Sequence, residues 1–283
     1  MVKNGSISEL DEKETFLADL DDCKLYYELR GKGPLLTIVN NFFTTSRAWR
    51  NFTRHLIKQC RILTYDLRGQ GDSVPYRKDL DFNCFVEDLR KLLDILDVQE
   101  TYLLGSSTST LICREFCNTY PERIKGLILV APIFCPYGSQ RRKYLIRSWL
   151  NSLEKGSVQG LFDHLFPLVY SDRTIENGGV TAYLALRERF LALHSYEQLH
   201  CHLSALLYVD DCPTKLGQIQ CPTLFLTGEG DFLASPMSLG AMCKLVPQAK
   251  MQTIDFAGHA PYLEATDAFE RAVQKFIAEV EGP

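Results

Sequence analysis

The stretch Leu103-Leu104-Gly105-Ser106-Ser107-Thr108-Ser109 decides the fold, because it reads as a strand that runs through a sharp turn into a helix. The strand pattern covers residues 101–104, and the helical pattern covers residues 111–120. A strained turn of this kind projects a serine hydroxyl above a sheet, and a small residue such as Gly105 lets the helix and the strand pack closely. The stretch therefore predicts a sheet of α/β type with the Ser107 hydroxyl at the carboxyl end of one strand.

Strand patterns and helix patterns alternate along most of the chain, which is typical of a mainly parallel sheet with helices on both faces. The almost continuous apolar run at residues 125–130 indicates a strand that is covered on both faces. Helices are predicted where apolar residues recur at three- and four-residue steps, over residues 82–96, around 237–245 and over 269–280. Further strands are predicted over residues 15–20, 24–29, 35–39, 61–65, 223–227 and 250–255.

Between residues 134 and 215 the pattern contains no convincing strand, only helical segments that glycines and a proline interrupt. Because this segment lies between two predicted core strands, we interpret it as an insertion. The predicted organisation is a core of residues 15–132 and 216–283 with a helical cap at 133–215. Residues 1–14 are polar and lack the apolar centre of a secretory signal, so we expect a flexible tail there.

Two other strand ends carry side chains that suit the Ser107 hydroxyl. Asp231 follows the strand at 223–227, and His259 follows the strand at 250–255. Functional residues of open α/β sheets lie at the carboxyl ends of strands. A serine hydroxyl is a weak nucleophile until an imidazole takes its proton, and a carboxylate holds that imidazole in the useful orientation. The sequence therefore predicts Ser107, His259 and Asp231 as nucleophile, base and orienting acid.

These motifs together resemble those of the α/β-hydrolase superfamily. The loop Tyr65-Asp66-Leu67-Arg68-Gly69-Gln70-Gly71-Asp72-Ser73 is similar to the D-x-R-G-x-G-x-S loop of that family. The Cys221-Pro222-Thr223 strand entry, the Gly258-His259 pair and the chain order serine, aspartate, histidine also match. The resemblance extends from about Thr15 to the C-terminus, and it implies the serine branch of the family with a helical cap after the sixth core strand.

The resemblance also implies an oxyanion hole, formed by the backbone N–H groups of Phe42 and Thr108. Where the family usually has His-Gly after the third strand, this chain has Asn40-Asn41, and Ser109 stands where the elbow motif has its second glycine. Neither difference removes a side chain of the predicted triad.

The function that the resemblance implies is hydrolysis of a carboxylic ester, a lactone or a thioester through an acyl-serine intermediate, without a metal or an organic cofactor. The same triad also suits acyl transfer or lactone closure, in which an alcohol or amine replaces water. A non-catalytic ligand receptor or scaffold on the same fold is the alternative from another class, since fold does not fix function. In that case Ser107 caps a helix and Asp231 belongs to a turn.

The predicted cap is rich in large apolar side chains, most of which serve its own packing. We expect a minority to line a pocket for an acyl group, with Trp149 and Phe166 as candidate substrate-binding residues. Arg141 and Arg142 belong to a local basic cluster. This cluster is either a solvated helix face or a docking site for an acyl carrier protein or coenzyme A.

Composition limits the remaining possibilities. The formal net charge of −4 gives no reason to expect nucleic acid as a partner, and no apolar run reaches the roughly 18 to 20 residues of a membrane span. The ten cysteines contain no C-x-x-C pair, so we expect reduced thiols in a cytoplasmic protein and no zinc site. The two histidines of His200-Cys201-His202 do not share a helix face, which disfavours a metal site there.

Overall fold

A single sheet of eight strands runs through the computed structural model, which describes residues 15–75 and 80–282. The predicted tail at residues 1–14 lies outside the described residues. The strand order across the sheet is β1-β2-β4-β3-β5-β6-β7-β8. The strands are β1 (Thr15–Asp19), β2 (Lys24–Arg30), β3 (Leu35–Val39), β4 (Arg61–Tyr65), β5 (Thr101–Ser106), β6 (Ile124–Val130), β7 (Thr223–Gly228) and β8 (Ala249–Ile254).

The six strands β3 to β8 pair in parallel, whereas β1 pairs with β2 and β2 with β4 in antiparallel fashion. Strand β5 lies between β3 and β6, and all six of its residues are buried. Gly105 pairs with Val39 on one side and with Leu129 on the other. The turn after β5 therefore opens at the edge of the sheet where the neighbouring parallel strands also end.

Helices cover both faces of the sheet, as the alternation of patterns predicts. Neighbouring residues of a strand point to opposite faces. Leu103 accordingly belongs to one apolar cluster, with α2 (Asn83–Ile95) and α3 (Ser109–Thr119), and Leu104 belongs to the other, with α1 (Trp49–Phe52) and α10 (Thr266–Glu281). The predicted α/β-hydrolase fold class is confirmed. The helices outside the β6–β7 connection are α1 (Trp49–Phe52), α2 (Asn83–Ile95), α3 (Ser109–Thr119), α8 (Pro236–Cys243), α9 (Pro261–Glu264) and α10 (Thr266–Glu281).

The connection between β6 and β7 is helical throughout its regular parts. It contains α4 (Gln140–Val169), α5 (Asp172–Leu193), α6 (Tyr196–Leu206) and α7 (Thr214–Gly217). Backbone conformations outside the helical region divide α4 at Ser157 and α5 at Gly179. In the part of the chain that the structure describes, no helix has the length and apolar character needed to cross a membrane.

Candidate active site

Ser107 occupies the turn between β5 and α3 in a conformation that is rare for a residue other than glycine. Its φ is 52°, in the left-handed region, where a side chain costs energy and is often found at functional sites. Gly105 makes the turn possible, since an added Cβ would lie 2.6 Å from the Cys113 sulfur. The Ser107 N–H donates to the Val130 carbonyl at 2.9 Å, which fixes the turn to the end of β6.

Ser109, at the position of the second family glycine, also contributes to this turn. Its hydroxyl donates to the Val39 carbonyl at 2.8 Å and accepts the Ser106 N–H at 2.9 Å. Serine in place of the family glycine therefore adds a hydrogen bond between the turn and β3, because a glycine has no hydroxyl to bond the Val39 carbonyl.

Ser107, His259 and Asp231 lie in one hydrogen-bonded row. His259 Nε2 is 2.8 Å from Ser107 Oγ, and His259 Nδ1 is 3.0 Å from both carboxylate oxygens of Asp231. All three residues are buried. The geometry is that of a serine hydroxyl that donates to Nε2 while Nδ1–H donates to the carboxylate.

The Asp231 carboxylate is held by donors other than the histidine. Its Oδ1 accepts the N–H groups of Leu233 and Ala234, each at 2.8 Å, and its Oδ2 accepts the Thr227 hydroxyl at 2.8 Å. Burial acts to raise the pKa of Asp231, but the charge of His259 and these hydrogen bonds outweigh burial and lower the pKa below its ordinary value. The carboxyl group therefore stays ionised at neutral pH.

The His259 loop is anchored on the end of α4. The His259 N–H donates to the Val169 carbonyl at 2.8 Å, and the Gly258 N–H donates to Glu264 at 2.9 Å. A Cβ on Gly258 would lie 2.7 Å from the Val169 oxygen, so only glycine allows this close approach. The position of His259 therefore depends on contact between the loop after β8 and the end of α4.

The side chains of the two asparagines after β3 form hydrogen bonds with neighbouring loops. Asn40 Nδ2 donates to Asp66 at 3.0 Å, and Asn41 Nδ2 donates to the Ser106 hydroxyl at 2.9 Å. Asn41 Oδ1 accepts the Phe43 N–H at 2.9 Å, and the Asn41 backbone has no positive φ. The loop that the family builds with glycine is thus fixed here by amide side chains.

Phe42 and Thr108, the residues expected to form the oxyanion hole, lie side by side. The Phe42 N–H donates to the Thr108 hydroxyl at 3.1 Å, and both residues are fully buried. One of the two expected donors is therefore engaged by a side chain of the other residue.

A cavity of about 130 Å³ lies beside the triad and is lined by both Ser107 and His259. Trp149 and Phe166, the two predicted substrate-binding residues, also line this cavity. Most of its wall is apolar, and the indole N–H of Trp149 has no hydrogen-bond partner among the described residues. A cavity of about 150 Å³ holds a benzene-sized group, so this one suits a short apolar chain.

Residues 41–272 match the model of the alpha/beta hydrolase family, which is most of the chain. The chain belongs to that family. Among curated α/β-hydrolase relatives, it is 26% identical over 253 residues to a putative non-heme chloroperoxidase of Synechocystis sp., with 83% of this chain and 88% of that protein covered. It is 24% identical over 272 residues to the sn-1-specific diacylglycerol lipase ABHD11 of Mus musculus, with 92% and 87% covered. These relatives support a hydrolase function in general.

Solved α/β-hydrolase structures share the fold. A thermophilic esterase from Thermogutta terrifontis superimposes with a TM-score of 0.84 over 95% of this chain and 100% of that one, at 23% sequence identity. At this level of identity the similarity bears on the fold alone.

Three polar residues of the β6–β7 connection reach backbone carbonyls of the loops after β3 and β4, and the sequence interpretation missed these contacts. Gln198 Nε2 donates to the Phe42 carbonyl at 3.3 Å and to His202 Nδ1 at 3.0 Å, and His202 Nε2 donates to the Arg68 carbonyl at 2.8 Å. His194 lies within 3.2 Å of both Gln198 Oε1 and the Phe43 carbonyl. The four-residue spacing of Gln198 and His202, which places them on one face of α6, was the available signal for these two residues. His194 lies outside α6, at the C-terminal end of α5.

The metal interpretation of His200 and His202 was disfavoured on spacing, and their surroundings differ. His202 is fully buried, and burial lowers its pKa to about 4. His200 is exposed and lies 3.3 Å from Glu154.

Both alternatives for Arg142, a solvated helix face and a docking site for an acyl carrier protein or coenzyme A, are wrong. Arg142 is completely buried, where it pairs with Asp211 at 3.2 Å and donates to the carbonyls of Leu206 and Val209. Burial lowers the pKa of Arg142 in spite of the Asp211 charge. Arg141 donates to the Leu233 carbonyl at 2.8 Å. Arg141 and Arg142 therefore do not form an exposed basic pair, because the Arg142 side chain is buried in the interior of the protein.

Proposed function

We propose that this α/β hydrolase cleaves a carboxylic ester, a lactone or a thioester through an acyl-enzyme on Ser107. The observation that carries the proposal is the unbroken row from Ser107 Oγ through His259 to Asp231, at 2.8 and 3.0 Å, beside a largely apolar cavity. The named lipase relative agrees with this class of substrate.

The proposed reaction uses the triad twice. Ser107 Oγ attacks the carbonyl carbon while His259 Nε2 takes the hydroxyl proton, and collapse of the tetrahedral intermediate transfers that proton to the leaving oxygen or sulfur. A water molecule then gives a proton to His259 and attacks the acyl-serine, and the proton returns to Ser107 as the acid leaves. Asp231 stabilises the imidazolium in both halves, since its lowered pKa keeps it ionised.

The oxyanion of each tetrahedral intermediate would accept the backbone N–H groups of Phe42 and Thr108. In the free enzyme the Thr108 hydroxyl accepts the Phe42 N–H, so that hydroxyl must turn away when the oxyanion forms. Loss of one such donor typically costs about 10²- to 10³-fold in rate.

Residues 133–215 act in this proposal as a cap over the acyl chain, with Trp149 and Phe166 on the cavity wall. The steps above need only protein groups and water. We further propose that the enzyme works in a reducing, cytoplasmic compartment, because its ten cysteines, all of them in the described residues, form no disulfide.

Intact-mass analysis after exposure to a fluorophosphonate tests the proposal directly. Wild-type protein should gain one adduct, and Ser107→Ala should gain none. Ser106→Ala is the matched control, because it removes a neighbouring buried hydroxyl that makes no contact with His259, and it should still be labelled. An unlabelled wild type, or a labelled Ser107→Ala protein, would reject the assignment.

A further inference from the structure

One face of α5 points into the cavity beside Ser107 and carries a charge where an apolar residue is expected. Leu186, Arg189, Phe190 and Leu193 all line that cavity. Their spacing of three, four and seven residues defines a single helical face. The other three members are apolar, so Arg189 interrupts an otherwise apolar stripe.

Arg189 lacks a hydrogen-bond or ion-pair partner among the residues that the structure describes. The buried arginines Arg114 and Arg142, by contrast, both pair with Asp211. The other described residues that line the cavity are uncharged or are histidines, so Arg189 supplies its permanent charge. An unpaired guanidinium on the wall of an apolar cavity is a ready donor for an anionic group.

Tyr170 brings a second free donor to the same cavity. Tyr170 lines the cavity, and its hydroxyl has no hydrogen-bond partner among the described residues. Burial raises the pKa of Tyr170, while the nearby charge of Arg189 acts to lower it. The phenol is therefore a neutral donor close to the guanidinium.

The Glu264 carboxylate, which acts on the pKa of Tyr170, is already occupied. Its oxygens accept the Ser171 N–H at 2.8 Å, the Thr174 hydroxyl at 2.7 Å and the Gly258 N–H at 2.9 Å. It is a fixed part of the His259 loop and leaves the Arg189 charge unpaired.

We propose that Arg189 and Tyr170 form a subsite for an anionic group, a carboxylate or a phosphate, that the substrate carries beyond an apolar segment. Ser107 and His259 are buried, whereas Arg189 and Leu193 are exposed, so the guanidinium lies towards the solvent end of the cavity. A substrate that extends from the reacting carbonyl to solvent passes apolar walls before it meets the charge. This inference rests on the proposed esterase function, because it names the substrate class of that site.

Three 4-nitrophenyl esters of similar length test the subsite: the neutral pentanoate, the half-ester of glutarate, and the 4-phosphonobutanoate. The wild type should prefer at least one anionic ester to the neutral one, and the better anion distinguishes a carboxylate ligand from a phosphate ligand. Arg189→Met should raise KM for that anionic ester by about fivefold, the usual scale for a partly exposed ion pair, and should leave the pentanoate unchanged within twofold. Tyr170→Phe should produce a smaller change in the same direction. Added salt should reduce the preference in the wild type.

Arg187→Met is the matched control, since Arg187 lies two residues away on α5 and is placed over the Tyr183 ring, outside the cavity lining. Equal losses for neutral and anionic esters in Arg189→Met, or equal effects of the two arginine variants, would overturn the subsite.

Calorimetric titration of Ser107→Ala with glutarate and phosphonobutanoate, with and without Arg189→Met, gives a readout that needs no turnover. Absence of binding that depends on Arg189 would also reject the subsite. Failure of fluorophosphonate labelling would instead reject the proposed function.

Discussion

The helix that follows Ser107 and the helix that carries Arg189 differ in how deeply their residues are buried. In α3, which follows the turn, eight of eleven residues are buried, whereas none of the 22 residues of α5 is buried. The Ser107 hydroxyl therefore lies at the start of a helix that is packed into the core, with the cavity on one side. The cavity wall on α5 lies on a helix whose side chains can change at little cost to the core. Under the proposed function, we therefore expect substitutions on α5 to alter the substrate preference more readily than substitutions in α3 alter the reaction at Ser107.

The β6–β7 connection and the loops at the sheet edge are joined through backbone groups of His259 and Phe42. Val169, at the end of α4, accepts the His259 N–H, and Gln198 of α6 donates to the Phe42 carbonyl. Changes in the insertion therefore affect the chemistry most when they disturb these contacts, and least when they alter α5.

The largest expected effect comes from Asp231→Asn, which keeps the shape of the buried row but removes its negative charge. The asparagine amide cannot hold His259 Nδ1–H and the imidazolium as the carboxylate does, so kcat/KM should fall by about 10⁴-fold. Ester hydrolysis, together with thermal unfolding to show that the protein is folded, measures this change. A variant with activity near that of the wild type would mean that another carboxylate orients the histidine.

Asp211→Asn provides the contrast, because Asp211 is equally buried but lies outside the triad. It pairs with Arg114 and with Arg142, both of which are buried. Removal of the charge leaves the buried Arg142 guanidinium without its carboxylate partner, whereas Arg114 keeps Glu115 at 2.7 Å. Breaking a buried pair in this way typically costs about 3 to 5 kcal/mol. We expect a large loss in the free energy of unfolding by urea, and a kcat that stays close to that of the wild type wherever the variant is folded. A greater loss of kcat than of stability would place Asp211 in the catalytic machinery.

These two aspartates also show what the sequence can predict. Asp231 was predicted to lie near Ser107 and His259 because it follows a strand, and the ends of parallel strands meet at one edge of the sheet. The structure places its carboxylate 3.0 Å from His259 Nδ1, whereas its catalytic role remains a proposal. The sheet and its flanking helices followed from the same local patterns. Arg142 was misread because its partner, Asp211, is remote in the sequence and meets it only after the inserted helices pack. The departures at Asn41 and Ser109 could be recognised as departures, but their hydrogen bonds to Ser106 and Val39 depend on loops that only the folded chain brings together.

The polar contact between α6 and the catalytic loops should appear in the pH dependence of stability. Burial lowers the pKa of folded His202 to about 4 and also lowers that of His194, whereas an unfolded histidine titrates near 6.5. The neutral imidazoles therefore contribute fully above about pH 6.5, and stability falls with decreasing pH as the unfolded chain gains protons. For His202 alone the loss should reach about 3 kcal/mol near pH 4.

Urea unfolding at pH 7.5 and at pH 5 measures this effect. His202→Gln retains a donor for the Arg68 carbonyl but does not titrate, so its stability should depend less steeply on pH than that of the wild type. His200→Gln, on the exposed side of the same helix, is the matched control and should follow the wild type. An unchanged slope in His202→Gln would show that its imidazole does not contribute to the acid sensitivity.

The smallest expected effect concerns the wall of the cavity, and it tests whether the insertion selects the acyl chain. Phe166 lines the cavity and is only partly buried, so Phe166→Ala should enlarge the space without opening the core. Each additional methylene that the larger cavity accommodates is worth roughly 0.8 kcal/mol, or about fourfold in kcat/KM. The preferred ester should therefore become longer, while the rate of labelling by a small fluorophosphonate changes little, because the triad is untouched. Tyr144→Ala is the matched control, since Tyr144 is an exposed aromatic residue of the same helix outside the cavity lining. A chain-length profile that stays the same in Phe166→Ala and in a Trp149→Phe variant would assign specificity to the sheet loops instead of the insertion.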